Sequence, residues 1–246
     1  MHVNRAEITR HECRLSEPRR KAPAELGDLR FRSLLSPQQW ATLPAGIRRR
    51  FSKRLSNGKT VVYVGRVVET HMSRVGWCLA QAARFIGAPL PTARDTDVPS
   101  VVTVTEDVAT TGQIWTRLYA RRLGFPQVIN SSKRFSGPTG LEEYIGHGIG
   151  MALTVEAQPN ALVFKSAGYF LMLGRHRITL PRLLTPGACR VTHTECGARQ
   201  FEFKLEITHP VLGTLIRQIA LFEESPEDTA TDHSQPSPQS TSCRRL

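Results

Sequence analysis

From Thr60 to Glu223 apolar residues recur at every second position over most of the chain, and this period of two predicts strands. Val62, Val64 and Val68 alternate with Tyr63, Gly65 and Val67, which reads as a strand with both faces largely buried. Further strands are expected at 99–106, 112–121, 126–135, 141–157, 160–173, 175–181, 187–195, 199–209 and 212–223. Turn signals separate them, among them Thr110-Thr111-Gly112, Gly137-Pro138, Pro159-Asn160, Gly174 and Cys196-Gly197. Segments joined by so few residues must pair antiparallel. The expected fold is therefore mainly β, an antiparallel β-barrel or strongly curved sheet of about eight to ten strands.

A helical period interrupts this pattern in three places. Ser36 reads as an N-cap with Pro37 at the first helical position, so a short helix should run through Trp40 and stop before Pro44. Over 45–55, Ile47, Phe51 and Leu55 form one apolar stripe beneath an outer face carrying Arg48, Arg49 and Arg50. Asn57-Gly58 then marks a turn. Trp77 to Ile86 returns to helical spacing, with Leu79, Ala82, Ala83 and Ile86 facing inward and Gly87, Pro89 and Pro91 ending the helix. This helix should pack on the sheet or close one end of it. The two N-terminal helices should cover a sheet edge.

Residues 1–24 lack periodicity and read as a disordered basic arm, and 224–246 as a disordered polar tail. A single domain is expected over 25–223. The formal charge of +12 changes the picture only once mapped: residues 1–60 hold 14 Lys/Arg against 5 Asp/Glu, and the other 186 hold 19 against 16. No aromatic residues interleave with the basic runs as stacking platforms would require, so nucleic acid is not an expected partner. Cys13, Cys78, Cys189, Cys196 and Cys243 form no C-x-x-C pair, which favours reduced thiols and a cytoplasmic setting. No apolar h-region follows Met1, and no run is long enough to be a transmembrane segment.

Candidate chemistry is sparse. Trp115, Arg117 and Tyr119 share one strand face. The plainer reading stacks Arg117 on an outer surface. The alternative turns it inward, where its guanidinium would anchor an anionic head group. Lys133 and Arg134 point to opposite faces, so at most one is internal, and a solvated strand end is the plainer reading. Glu142 and Glu143 also point apart and cannot act as a carboxylate couple. Glu143 reads as a structural ion-pair partner for a cross-strand Arg, with an acid/base role as the lesser candidate. Gly146-His-Gly-Ile-Gly150 precedes a β pattern, not a helix, so it is no dinucleotide fingerprint, and its glycines should let one strand bend. Cys189, His193 and Cys196 offer three metal ligands at most, with the two thiols on opposite faces. No cofactor and no metal are predicted.

Several short matches occur in a fixed order: Tyr63-Val-Gly65, Leu79-Ala80 through Gly87-Ala-Pro-Leu90, Val98-Pro-Ser-Val-Val-Thr-Val104, Trp115-Thr-Arg117, and Ser131-Ser132 with Lys133. Gly140-Leu-Glu-Glu143 with Gly146, Leu180-Pro181 through Leu184-Thr-Pro186, and Phe201-Glu-Phe203 continue the series. On these residues the chain resembles DUF4166, a bacterial domain of unknown function, over 26–223. Related proteins carry this domain beside a nucleotide-binding oxidoreductase domain, so the resemblance implies an oxidoreductase partner and an accessory or substrate-presenting role. It implies no reaction.

The leading expectation is a non-enzymatic binding module for an apolar or amphipathic, lipid-like small molecule, with Trp115, Arg117, Tyr119 and Lys133 as ligand-binding candidates. One alternative is an enzyme using the same cavity with Glu143 as acid or base. The other is a protein- or membrane-surface-interaction domain docking through its basic arm.

Overall fold

A computed structural model describes residues 27–53, 55, 59–87, 89–197 and 199–224; the basic arm, the Asn57-Gly58 turn and the tail beyond Glu224 lie outside them. The chain forms α1 (Pro37–Thr42), α2 (Ala45–Phe51), β1 (Thr60–Met72), α3 (Arg74–Ala82) with a 3₁₀ continuation at Ala83–Ile86, β2 (Val98–Asp107), β3 (Gly112–Tyr119) and β4 (Gln127–Arg134). Then follow β5 (Glu142–Gly146), β6 (Ile149–Gln158), β7 (Ala161–Leu173), β8 (His176–Thr179), a 3₁₀ turn at Arg182–Leu184, β9 (Ala188–Gly197), β10 (Gln200–His209) and β11 (Gly213–Glu223).

Every strand pairing is antiparallel. β1 pairs with both β2 and β11, and β6 with both β5 and β7, so ten strands close a barrel in the order β1-β2-β3-β4-β5-β6-β7-β9-β10-β11. Closure removes the sheet edges that an open sheet would leave. β7 is shared: Ala161–Lys165 pair with β9, whereas Phe170–Leu173 pair with the short β8. Above Lys165 the β7–β9 seam parts. The Cys189 N–H donates to Ser166 Oγ at 2.9 Å there, and residues 180–187 occupy the gap.

The two ends are closed differently. At one end α2 acts as a plug. Ile47 and Phe51 are buried, and the Phe51 ring meets Phe31, Trp115, Phe164 and His193 at centroid distances of 5.1 to 6.5 Å. Trp115 belongs to β3, whereas Phe164 and His193 come from β7 and β9 across the barrel, and Phe31 comes from the segment before α1. The N-terminal helices therefore stop an end and do not cover an edge, because no edge remains between first and last strands. α1 starts as its sequence predicts: Ser36 Oγ accepts from the Gln39 N–H, and Gln39 Oε1 accepts from the Ser36 N–H. At the other end α3 lies across the β1–β11 ladder. It begins three residues earlier than the apolar spacing suggests because Ser73 caps it through the Gly76 N–H at 3.0 Å.

Three further expectations change. The segment 141–157 is two strands, since His147 and Gly148 both have positive φ (49° and 76°) and make a two-residue hairpin turn. Val62, Val64 and Val68 are on the solvent side of β1, so only one of its faces is buried. Arg50, expected on the outer face of α2, is buried. Its Nη1 donates to Glu224 Oε1 at 2.6 Å, its Nε donates to His193 Nε2 at 3.0 Å, and Nη2 pairs with Glu195. Glu224, the first residue of the expected tail, is thus held inside the fold and also pairs with Arg49. Among the described residues no helix is long and apolar enough to cross a membrane.

Candidate functional site

Alternation along β3 sends Gln113, Trp115, Arg117 and Tyr119 into the barrel, and the ladder aligns them with Lys133, Ser131, Ile129 and Gln127 of β4. Lys133 in turn stands directly opposite Glu143 of β5. Three adjacent strands therefore bring Arg117, Ser131, Lys133 and Glu143 to one interior layer. All four are buried. Lys133 Nζ lies 2.8 Å from Glu143 Oε2, Ser131 Oγ donates to Glu143 Oε1 at 2.6 Å, and Arg117 donates from Nη1 to Ser131 Oγ at 3.0 Å and from Nη2 to Glu143 Oε1 at 3.4 Å. The Lys133 ammonium also sits 5.2 Å from the Trp115 ring centroid and 5.5 Å from that of Phe164. The Arg117 guanidinium lies 5.5 Å from the Phe203 ring. Cations tolerate such a dry place better over aromatic faces.

The layer holds two cations and one carboxylate. Burial alone would raise the Glu143 carboxyl, but Lys133 and Arg117 outweigh it and hold the group at about 2, so it is ionised. Burial pulls the Lys133 ammonium down, Glu143 pushes it back, and the nearby Arg117 pulls it down again. Two buried cations thus share the single carboxylate of this layer.

Above this layer lies a cavity of about 410 Å³. Its walls are mostly apolar, with Ile129, Met151, Val191, Leu205 and Ile207 from the strands, while Leu79, Ala83 and Ile86 of the α3 segment roof it with Leu180 and residues 183–186. Buried polar groups at its floor and sides are Arg117, Ser131, Glu143, Tyr119, Tyr169 and Cys189, and Asn130 and Thr185 line it as well. Burial raises both phenols above their usual range and pushes the Cys189 thiol up to about 12, so all three are neutral. Among the described residues, Arg117 is thus the one cationic group that lines the cavity, and it shares its carboxylate with Lys133.

Of the residues singled out from sequence, Arg117 and Tyr119 line the cavity, as does Glu143. Trp115 and Lys133 do not: Lys133 belongs to the charged layer, and Trp115 lies on the plug side, its ring 6.5 Å from that of Phe51. The plainer readings of Arg117 as a surface residue and Lys133 as a solvated strand end are corrected, because closure of the barrel puts the whole Gln113–Tyr119 face inside. Glu143 does form a structural pair, with Lys133 foremost and Arg117 second. Glu142 is on the opposite face, as alternation requires, and is buried beneath β8, where Arg177 pairs with it and Tyr144 donates to it at 3.1 Å. Tyr169, Cys189 and Ser131 were not singled out as lining residues, although the alternation Cys189-x-Val191-x-His193 already marks one interior face. Cys196 is exposed, and among the described residues no group of three His, Cys, Asp or Glu could hold a metal.

A family model for DUF4166, a domain of unknown function, matches residues 43–222. The chain belongs to the DUF4166 family. No curated protein and no solved structure matches it. The DUF4166 match begins at the plug and runs to the penultimate residue of β11, so the charged layer, the cavity and its α3 roof all fall inside the family domain. Glu224, which ties the plug down, stands just beyond the matched DUF4166 segment.

Proposed function

We propose that this DUF4166 barrel is a non-enzymatic binding module for an amphipathic small molecule with an apolar body and an anionic head. The observation that carries the proposal is the cavity itself: about 410 Å³ of mostly apolar space with Arg117 at its floor, in a buried layer where two cations share one carboxylate. That volume falls within the range of about 300–1,000 Å³ typical of small-molecule sites. An apolar chain would be held by burial of its surface, and a carboxylate or phosphate head would supply the anion that the layer lacks.

The state of Glu143 weighs against the enzymatic alternative. A general acid or base working near neutral pH needs a raised carboxyl, whereas Glu143 is held at about 2 and its oxygens are already engaged by Lys133, Ser131 and Arg117. An accessory role beside an oxidoreductase fits a carrier that presents an apolar substrate.

Native mass spectrometry of the purified protein tests the reading. An adduct that organic solvent releases, and that Arg117→Ala protein carries at a fraction on the order of a tenth of native or less, supports it. Native protein that never carries or takes up a fatty acid or a lysophospholipid refutes it.

A further inference from the structure

The five most exposed large apolar side chains of the described protein are Leu183 (94%), Phe125 (92%), Phe85 (88%), Leu123 (84%) and Val211 (84%). They come from four separate segments: the 3₁₀ turn before β9, the β3–β4 turn, the extension of α3 and the β10–β11 turn. Strand direction puts all four at one end of the barrel, the end where the cavity opens beneath the α3 roof. Trp77 of α3 is also exposed there. The opposite end exposes only Leu29 and Val108 among its large apolar residues described. Solitary exposed apolar residues are ordinary, but a concentration at loop tips around a cavity mouth is not.

The cavity end is also net basic. The segments at the cavity end, residues 73–97, 120–126, 147–148, 174–187 and 210–212, contain eight arginines and two aspartates. Among the described residues, Arg74, Arg84, Arg121, Arg122, Arg175 and Arg182 are exposed and form no ion pair. Asp97 is already paired with Arg66, and Asp95 accepts from the Arg122 backbone N–H at 3.2 Å. The rim is thus apolar at its tips and cationic just behind them, the arrangement that suits the boundary between acyl chains and anionic head groups.

We propose that this rim docks the barrel on an anionic lipid bilayer, with Phe85, Phe125, Leu123 and Leu183 entering the interface and the arginines meeting the head groups. The docked pose aims the cavity mouth at the membrane, so an amphipathic ligand passes between bilayer and barrel without crossing water. This rests on the carrier reading for its purpose, but membrane docking is measurable on its own.

The test is flotation of the full-length protein with vesicles of phosphatidylcholine alone and of phosphatidylcholine mixed with phosphatidylserine. Native protein is expected to float only with the mixed vesicles. The double variant Phe85→Ser/Phe125→Ser, neither of which lines the cavity, is expected to lose on the order of tenfold in binding while keeping its fold and any co-purified ligand. Arg121→Ala/Arg122→Ala is expected to lose a similar factor, and binding should weaken with rising ionic strength more steeply in native protein than in this variant. Native protein that ignores phosphatidylserine, or variants that bind as native does, overturn the proposal. Binding that persists in both variants and disappears on removal of residues 1–24 assigns docking to the basic arm and overturns it as well. If vesicles bind but labelled fatty acid in them never enters the protein, docking stands and the carrier reading falls. If ligand co-purifies but vesicles never bind, the reverse holds.

Discussion

Lys133 Nζ stands 2.8 Å from Glu143 Oε2, directly across the β4–β5 ladder and inside the barrel, while Arg117 reaches the other oxygen of the same carboxylate. One anion thus serves two cations in a place from which water is largely excluded. Neutralising a buried charge takes a partner, and leaving one unpaired is among the costliest changes a fold can suffer. The pair explains why Glu143 is a poor proton acceptor, and it underlies the proposal that the cavity floor takes a further anion.

Removing the carboxylate and removing the guanidinium should therefore have unequal effects. Glu143→Gln leaves two buried cations facing each other and is expected to cost about 3–5 kcal/mol. Arg117→Met leaves the Lys133–Glu143 pair intact and is expected to cost less than about 2 kcal/mol. Urea unfolding of the two variants compares them directly, and equal losses would contradict the account.

Acid should weaken the protein in two stages. Burial, with Arg50 beside it, holds the His193 imidazole well below its usual 6.5, so it stays neutral in the fold while the unfolded chain takes up a proton. The Glu143 carboxyl is depressed from 4.5 to about 2. Both groups bind fewer protons folded than unfolded, so the stability they contribute is present above their unfolded values and is lost as pH falls. The melting temperature should decline below about pH 6.5, and again as pH drops from about 4.5 towards 2. His193→Gln, which keeps an acceptor for Arg50 Nε, should flatten the first stage and leave the second. A native melting temperature that holds steady or rises between about pH 7 and 5.5 would contradict this.

Glu223 and Glu224 are adjacent and should behave oppositely. Glu224→Ala strips the plug of its link to Arg50 and Arg49 and is expected to cost about 3–5 kcal/mol. Glu223 is exposed and accepts only from the Gln200 side chain, so Glu223→Ala is expected to shift stability by no more than about 0.5 kcal/mol. Thermal unfolding of the two variants makes the comparison.

The roof over the cavity depends on Gly76. A Cβ there would strike the Leu215 carbonyl oxygen of β11, backbone that cannot give way cheaply. Gly76→Ala should lift α3 from the barrel and speed ligand dissociation on the order of tenfold, with the β circular dichroism unchanged. Stopped-flow displacement of a fluorescent fatty acid measures it, and an unaltered rate would show that α3 is not a roof.

Period-two alternation was enough to read the barrel, because a closed antiparallel sheet writes its interior face as every second residue. It was enough to group Trp115, Arg117 and Tyr119 on one face. It did not say which face turned inward, since an Arg between two aromatics suits a solvated surface as well as a dry floor. Lys133 looked like a strand end because nothing local reveals that β5 and the plug lie over it. The Arg50–Glu224 pair spans 174 residues of sequence, and no local pattern links its two ends. The hairpin at His147-Gly148 was missed because continuous apolar alternation on both sides imitates one strand, and only positive φ at both positions separates them.

The most direct test of the proposed binding of an anionic amphiphile compares a fluorescent fatty acid with its methyl ester by equilibrium titration. The two differ in charge and hardly at all in apolar surface. Native protein should bind the acid on the order of tenfold or more tightly than the ester, and Arg117→Ala should bind both alike. Equal binding of acid and ester by native protein, or an undiminished preference in Arg117→Ala, would contradict the account.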